Sequence, residues 1–144
     1  MKVLVQRSKK SSVFVDNKLI NSIDYGMVLL VCFTHTDTVD SINKMIHKLI
    51  NLRIFDDENG IMNKSIMDVK GSILSISQFT LYADTQKGHR PSYISAMKGE
   101  KAVDLYKRFN SLLNESVPTY EGVFGADMLV NIENDGPVTI MLEV

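Results

Sequence analysis

Two segments of this 144-residue chain repeat their apolar residues at helical spacing, and most of the remaining apolar residues fall in short runs of strand character. Between about residues 40 and 53, Ile42, Met45, Ile46, Leu49 and Ile50 fall at i, i+3, i+4, i+7 and i+8, one stripe down a helix. From about residue 99 to residue 114, Ala102, Leu105, Tyr106, Phe109, Leu112 and Leu113 make a second stripe. Two helices are too few for a parallel doubly wound sheet, which needs a crossover helix between successive strands. The pattern predicts an α+β domain, a mainly antiparallel sheet or barrel with the two amphipathic helices flanking one side.

The strand runs begin with KVLVQR and then SVFVDNKLINSI, in which Asp16 and Asn17 are turn residues between paired strands. MVLLVCFTH is apolar without alternation, which predicts a strand covered on both faces. FDDENGIMNKS is turn chemistry, and SILSISQFTLY resumes as a strand. The C-terminal third reads as a short piece near TYEGVF, then DMLVNIE, then VTIMLEV after a break at NDGP. No repeat, low-complexity tract or linker divides the chain, so residues 1–144 are expected to form a single domain.

The formal net charge of −1 lacks the basic surplus of a protein that wraps a long nucleic acid; a nucleic-acid partner would be gripped locally. Basic residues gather in runs at Lys9 and Lys10, at Lys87, His89 and Arg90, and at Lys98, Lys101, Lys107 and Arg108, each readable as a plain solvated face. The lone Cys32 lies in an apolar run, permits no disulfide framework and is expected to pack as a small hydrophobe. No apolar stretch reaches the length of a membrane span and the N-terminus carries no leader-like segment, so a soluble cytoplasmic protein is expected.

The usual marks of catalysis are missing. His35, His47 and His89 have no HExxH spacing, and there is no GxSxG elbow and no phosphate-binding GxxxxGK(S/T) loop. No metal and no other cofactor is expected. His47 sits one position off the first helical stripe, as a boundary residue does, while His35 and His89 fall in or beside loops.

Two segments carry more polar detail than packing requires: Ser77, Gln78 and Thr80 in SQFTLY, and Gly136 with Pro137 in NDGPVT. By composition alone the first is a strand with a solvated edge and the second a hairpin turn. Together, however, SQFTLYAD, TQKGHRPSY, FGADM and NDGPVT, in this order, resemble the D-aminoacyl-tRNA deacylase family. The similarity extends over essentially the whole chain, including MKVLVQR and NLRIFDDENGIMNKS. Departures are modest: Tyr93 in place of the usual Phe, Cys32 in a stretch where a glycine is usual, and Ser8 and Ser11 in place of more apolar residues.

The resemblance implies a barrel-like domain flanked by helices, working as a homodimer with active sites at the interface. It implies that Ser77, Gln78, Phe79 and Thr80 form one wall of the site. It also implies that Gly136 and Pro137 are a Gly-cisPro pair inserted by the partner subunit to bind substrate, although an X-Pro bond read from sequence alone is trans. The implied reaction is hydrolysis of the ester in D-aminoacyl-tRNA, and of glycine mischarged on tRNA(Ala), with L-aminoacyl substrates rejected. The implied partner is the tRNA acceptor end carrying a D-amino acid or glycine, with no DNA and no membrane. An activated ester needs polarisation more than a strong nucleophile, so hydroxyl and backbone donors between Ser77 and Thr80 can hold the oxyanion while water attacks, helped by the substrate's 2′-hydroxyl. Thr80 as a covalent nucleophile has no base within its own motif. The rivals are a non-enzymatic RNA-binding module, a small-molecule or peptide hydrolase centred on Thr80 or Cys32, and a purely structural interaction domain.

Overall fold

The computed structural model describes residues 1–144. Its elements run β1 (Lys2–Val15), β2 (Lys18–Ile23), β3 (Gly26–Cys32), α1 (Val39–Ile50), β4 (Phe55–Asp56), β5 (Met62–Lys64), β6 (Ser72–Ser77), a 3-10 turn (Phe79–Tyr82), α2 (Glu100–Asn114), β7 (Thr119–Glu121) and β8 (Leu129–Glu143). Both predicted helices form on the predicted stripes: Ile42, Met45, Ile46 and Leu49 of α1 are buried, as are Ala102, Tyr106, Phe109 and Leu113 of α2.

The main sheet has the order β2-β1-β3-β6-β7, with β8 paired along the other edge of β1. Pairings of β1 with β2, β3 and β8 are antiparallel, whereas β3–β6 and β6–β7 are parallel. The Asn21 side-chain amide on β2 donates to the Glu121 carbonyl on β7 at 2.6 Å, drawing the two ends of that order together into a nearly closed barrel. Asp16 and Asn17 both adopt positive φ, 49° and 60°, the turn type whose twist suits a two-residue hairpin between β1 and β2.

β3 has both faces covered, as its unbroken apolar run predicts. Met27, Leu29 and Val31 join the larger core, under α1 and α2, with Val3, Val5, Ile73 and Phe109. Val28 faces the barrel interior with Val13, Ile23, Leu74 and Ile76. Gly26 opens β3 beside the start of β6 so closely that a Cβ there would stand 1.9 Å from the Ser72 carbonyl oxygen.

Three local readings are corrected. KVLVQR and SVFV are one strand, because the polar SKKSS stretch between them stays in the sheet against β8 despite its composition. SILSISQFTLY does not remain extended: the strand ends at Ser77 and FTLY winds into a 3-10 turn. NDGP is not a hairpin turn between two strands, because Leu129–Asn134 and Thr139–Glu143 both pair with β1. Since Gln6 pairs with Thr139 and Ser8 with Asn134, residues 135–138 bulge from β8 opposite Arg7 alone.

Candidate active site

The bulge is clipped from both sides. Asn134 Nδ2 donates to the carbonyls of Arg7 and Val138, each at 3.0 Å. The buried Arg7 side chain donates from Nε to the Asp135 carbonyl at 3.2 Å and from Nη1 to the Ile54 carbonyl at 2.8 Å. Its guanidinium also pairs with the carboxylates of Asp56 at 3.1 Å and Asp135 at 3.3 Å. At the crest of this bulge Gly136 and Pro137 are exposed, and the peptide between them is cis.

A cavity of about 310 Å³ opens where β3 and β6 end. One wall is Ser77, Gln78 and Phe79, the floor includes Val31, Cys32, Phe33 and Ile76, and the opposite wall is the 124–128 segment with Val130. Met97 and Ala102 close the side next to α2. Gln78 is fixed by its backbone N–H, which donates to the Val31 carbonyl at 2.8 Å, and its side-chain amide donates to Thr80 Oγ1 at 2.5 Å. The N–H groups of Phe79 and Thr80 begin the 3-10 turn, so the turn itself gives them no acceptor. Phe79 is half exposed and meets Tyr93 edge to face, centroids 5.0 Å apart.

No activated nucleophile accompanies these donors. Cys32 lines the cavity with its thiol pushed up to about 11, chiefly because burial disfavours the thiolate, so it is a neutral thiol at neutral pH. Its Sγ lies 3.5 Å from the Phe79 carbonyl, a weak donor contact. None of the three histidines lines the cavity, and no three His, Cys, Asp or Glu side chains are grouped to hold a metal ion. His35 Nε2 is engaged at 2.8 Å with the Ile94 carbonyl.

This arrangement suits an ester that is polarised in place and opened by water. The family model described as D-Tyr-tRNA(Tyr) deacylase matches residues 4–143. The chain belongs to the D-Tyr-tRNA(Tyr) deacylase family. It is a hydrolase that deacylates D-aminoacyl-tRNA, a proofreading task in translation. Among solved structures, one titled c-Myc DNA Unwinding Element Binding Protein is 40% identical and superposes with a TM-score of 0.95, over 100% of this chain and 99% of that one. A second, a probable eukaryotic D-amino acid tRNA deacylase, is 17% identical with a TM-score of 0.85 over 99% and 98% of the two chains, and shares the fold.

The deacylase brings only part of the predicted site together. Ser77, Gln78 and Phe79 share the cavity wall, and Thr80 joins them through its bond to Gln78. Gly136 and Pro137 are elsewhere: Val130, which lines the cavity, pairs with Val13, whereas the bulge stands opposite Arg7, six residues or about 20 Å further along β1. Two features escaped the sequence reading. The 124–128 wall was part of the resemblance, yet apolar Phe124, Ala126 and Met128 carry no chemical signal of their own. Arg7 looks like any first-strand cation, and only the fold sets it under the bulge.

Proposed function

We propose that this deacylase is a chiral proofreader that works as a homodimer, hydrolysing D-aminoacyl-tRNA and glycyl-tRNA(Ala) and sparing L-aminoacyl-tRNA. The observation that carries the reading is the cavity wall at Ser77–Phe79, which offers hydrogen-bond donors and no activated nucleophile. The substrate's ester carbonyl sits against the Phe79 and Thr80 N–H groups, which hold its oxygen as negative charge develops. Water adds to the carbonyl carbon, its proton passing by way of the neighbouring 2′-hydroxyl. The carbon–O3′ bond then breaks, the 3′ oxygen takes a proton, and free amino acid leaves the tRNA.

The carbonyls of Gly136 and Pro137 from a second copy accept hydrogen bonds from the α-ammonium group. With ammonium and ester both pinned, an L side chain meets a wall, a D side chain points to open space, and glycine presents nothing to reject. Two observations support the second copy. The cavity lining at Val130 and the bulge stand about 20 Å apart along β1 of a single chain, beyond the reach of one aminoacyl group. The inward side of β8 also leaves Val130, Ile132, Val138, Ile140 and Leu142 only half buried, the apolar surplus that an interface covers. The same reading puts the enzyme where aminoacyl-tRNA is used, in the cytoplasm.

The test is hydrolysis of matched D-tyrosyl-, L-tyrosyl- and glycyl-tRNA by the purified protein, read by mass. Release from the D and glycyl forms alone is expected. Equal rates on both enantiomers would remove the chirality claim, inertness toward glycyl-tRNA would remove glycine, and equal turnover of D-tyrosine ethyl ester would point to a general esterase. For the dimer, a Gly136→Ala subunit is mixed with a Phe79→Pro subunit, which lacks the N–H that position 79 offers the ester. An alanine Cβ at residue 136 would meet Val138 Cγ2 at 2.8 Å at a φ of 121°, so that bulge is deformed while its wall is whole. Heterodimers should regain one complete site, and heterodimers without selective activity would refute the shared arrangement.

A further inference from the structure

Charge is unevenly distributed along this chain. Residues 85–114 hold six Lys and Arg, namely Lys87, Arg90, Lys98, Lys101, Lys107 and Arg108, against only Glu100 and Asp104. That is a surplus of four cations in a chain of net charge −1, leaving an excess of five acids elsewhere. All six cations are exposed. None has a carboxylate within ion-pairing distance, whereas half of the ten cations outside this segment, Lys2, Arg7, Lys9, Lys44 and Lys64, are paired. Unpaired like charges repel one another, so such a concentration costs stability unless a polyanion neutralises it.

The fold sets these cations around the cavity mouth. Met97 and Ala102 line the cavity, and Lys98 and Lys101 are the next residues outward from each. The loop bearing Lys87 and Arg90 is closed by paired backbone bonds between Asp84 and Ser92, both 2.8 Å, and is anchored to the wall by the Phe79–Tyr93 contact. Along α2, Lys101, Lys107 and Arg108 face solvent while Ala102, Tyr106 and Phe109 face the core. From Lys101 to Arg108 the helix advances about 10 Å, the length over which one strand of a duplex presents about three phosphates. The acids on this side are Glu100 and Asp104 on α2, Asp84 at the base of the loop, Asp127 in the cavity lining and Glu121, which accepts from Asn110, whereas Asp56, Asp57 and Glu58 around the β4–β5 hairpin and Glu133, Asp135 and Glu143 on β8 belong to other elements.

We propose that the exposed face of α2, together with the 85–91 loop, is a docking surface for the phosphate backbone of the RNA acceptor arm, holding the duplex while its 3′ end enters the cavity. The proposal rests on the deacylase reading and adds the surface by which that substrate is held. It accounts for a near-neutral protein that acts on a nucleic acid: the grip is local, and acids elsewhere offset it.

The test measures binding of an uncharged RNA minihelix with a single-stranded 3′ end, by fluorescence anisotropy across a series of KCl concentrations. The helix variant is Lys101→Gln/Lys107→Gln/Arg108→Gln and the loop variant Lys87→Gln/Arg90→Gln. The control, Lys18→Gln/Lys48→Gln/Lys70→Gln, removes as many exposed unpaired cations from other faces as the helix variant does. For every cation taken away from a phosphate, the plot of log affinity against log salt should flatten by about 0.7–0.9. The helix variant should therefore drop by about two in slope and at least tenfold in affinity, the loop variant somewhat less, and the control in neither. Unchanged binding by both the helix and loop variants, or an equal loss in the control, overturns the proposal. A DNA hairpin of the same sequence bound as tightly overturns the assignment to RNA. Because the RNA is uncharged, binding that maps to α2 without any release of D-tyrosine from D-tyrosyl-tRNA would sink the deacylase reading and leave the surface standing.

Discussion

Arg7→Ala is the substitution whose cost follows most directly from the structure. The Arg7 side chain is only 9% exposed, and its Nη1 donates to the buried Ile54 carbonyl at 2.8 Å. A hydrogen bond from a charged donor contributes about 1.5–3 kcal/mol, and its loss leaves that carbonyl without its guanidinium partner. The pairs to Asp56 and Asp135 involve carboxylates that are 49% and 29% exposed, so each adds about 0–1 kcal/mol. The total is about 3 kcal/mol, which for a chain of this length lowers Tm by about 10 °C. Arg7→Lys keeps the charge but cannot fork between the carbonyls of Ile54 and Asp135, and should lose about half as much. Thermal unfolding followed by circular dichroism at 0.15 M and 1 M salt checks both numbers. Because the dominant bond is buried, the deficit should persist at high salt. A Tm within about 2 °C of the wild type, or a deficit that vanishes in 1 M salt, would refute the reasoning, since either outcome reduces Arg7 to a surface ion pair.

Cys32 supplies a pH prediction. Its folded pKa, raised from 9.0 to about 11, favours the neutral thiol, so the associated stability is complete below pH 9 and disappears as pH rises to 11. That amounts to about 2–3 kcal/mol, and Cys32→Ala should show a correspondingly shallower fall in Tm across that window. Deacylation by Cys32→Ala, corrected for folded protein, should stay within about threefold of wild type, and a loss of several orders of magnitude would restore a thiol mechanism. Thr80→Ala should retain activity within about tenfold, because Gln78 already occupies the Thr80 oxygen and the backbone donors remain. An acyl-enzyme trapped on Thr80 and seen by mass would overturn that expectation.

How far the fold was legible depends on whether a residue's job is local or shared. The stripes of α1 and α2 were legible because burial on one helix face imposes its own period, and MVLLVCF because a strand covered twice has no polar face to alternate. SKKSS was misread because composition reports polarity, not pairing: Ser11 is buried within β1, its backbone paired with both β2 and β8. NDGP failed for a related reason. Glycine and proline mark a place where regular pairing stops, and a bulge and a hairpin both stop it. What distinguishes them is whether the chain beyond returns to the same neighbour, and β8 returns to β1 at Thr139. The site follows the same division. SQFTLY was recognisable by resemblance, but its change from strand to 3-10 turn after Ser77, which frees the Phe79 and Thr80 N–H groups, depends on Val31 supplying the carbonyl that fixes Gln78. Arg7 was invisible because its partners, Ile54, Asp56 and Asp135, lie 47, 49 and 128 residues away along the chain. A residue is readable from a single sequence when its neighbours in space are its neighbours in sequence, and the groups that shape this cavity and clip the β8 bulge are held from a distance.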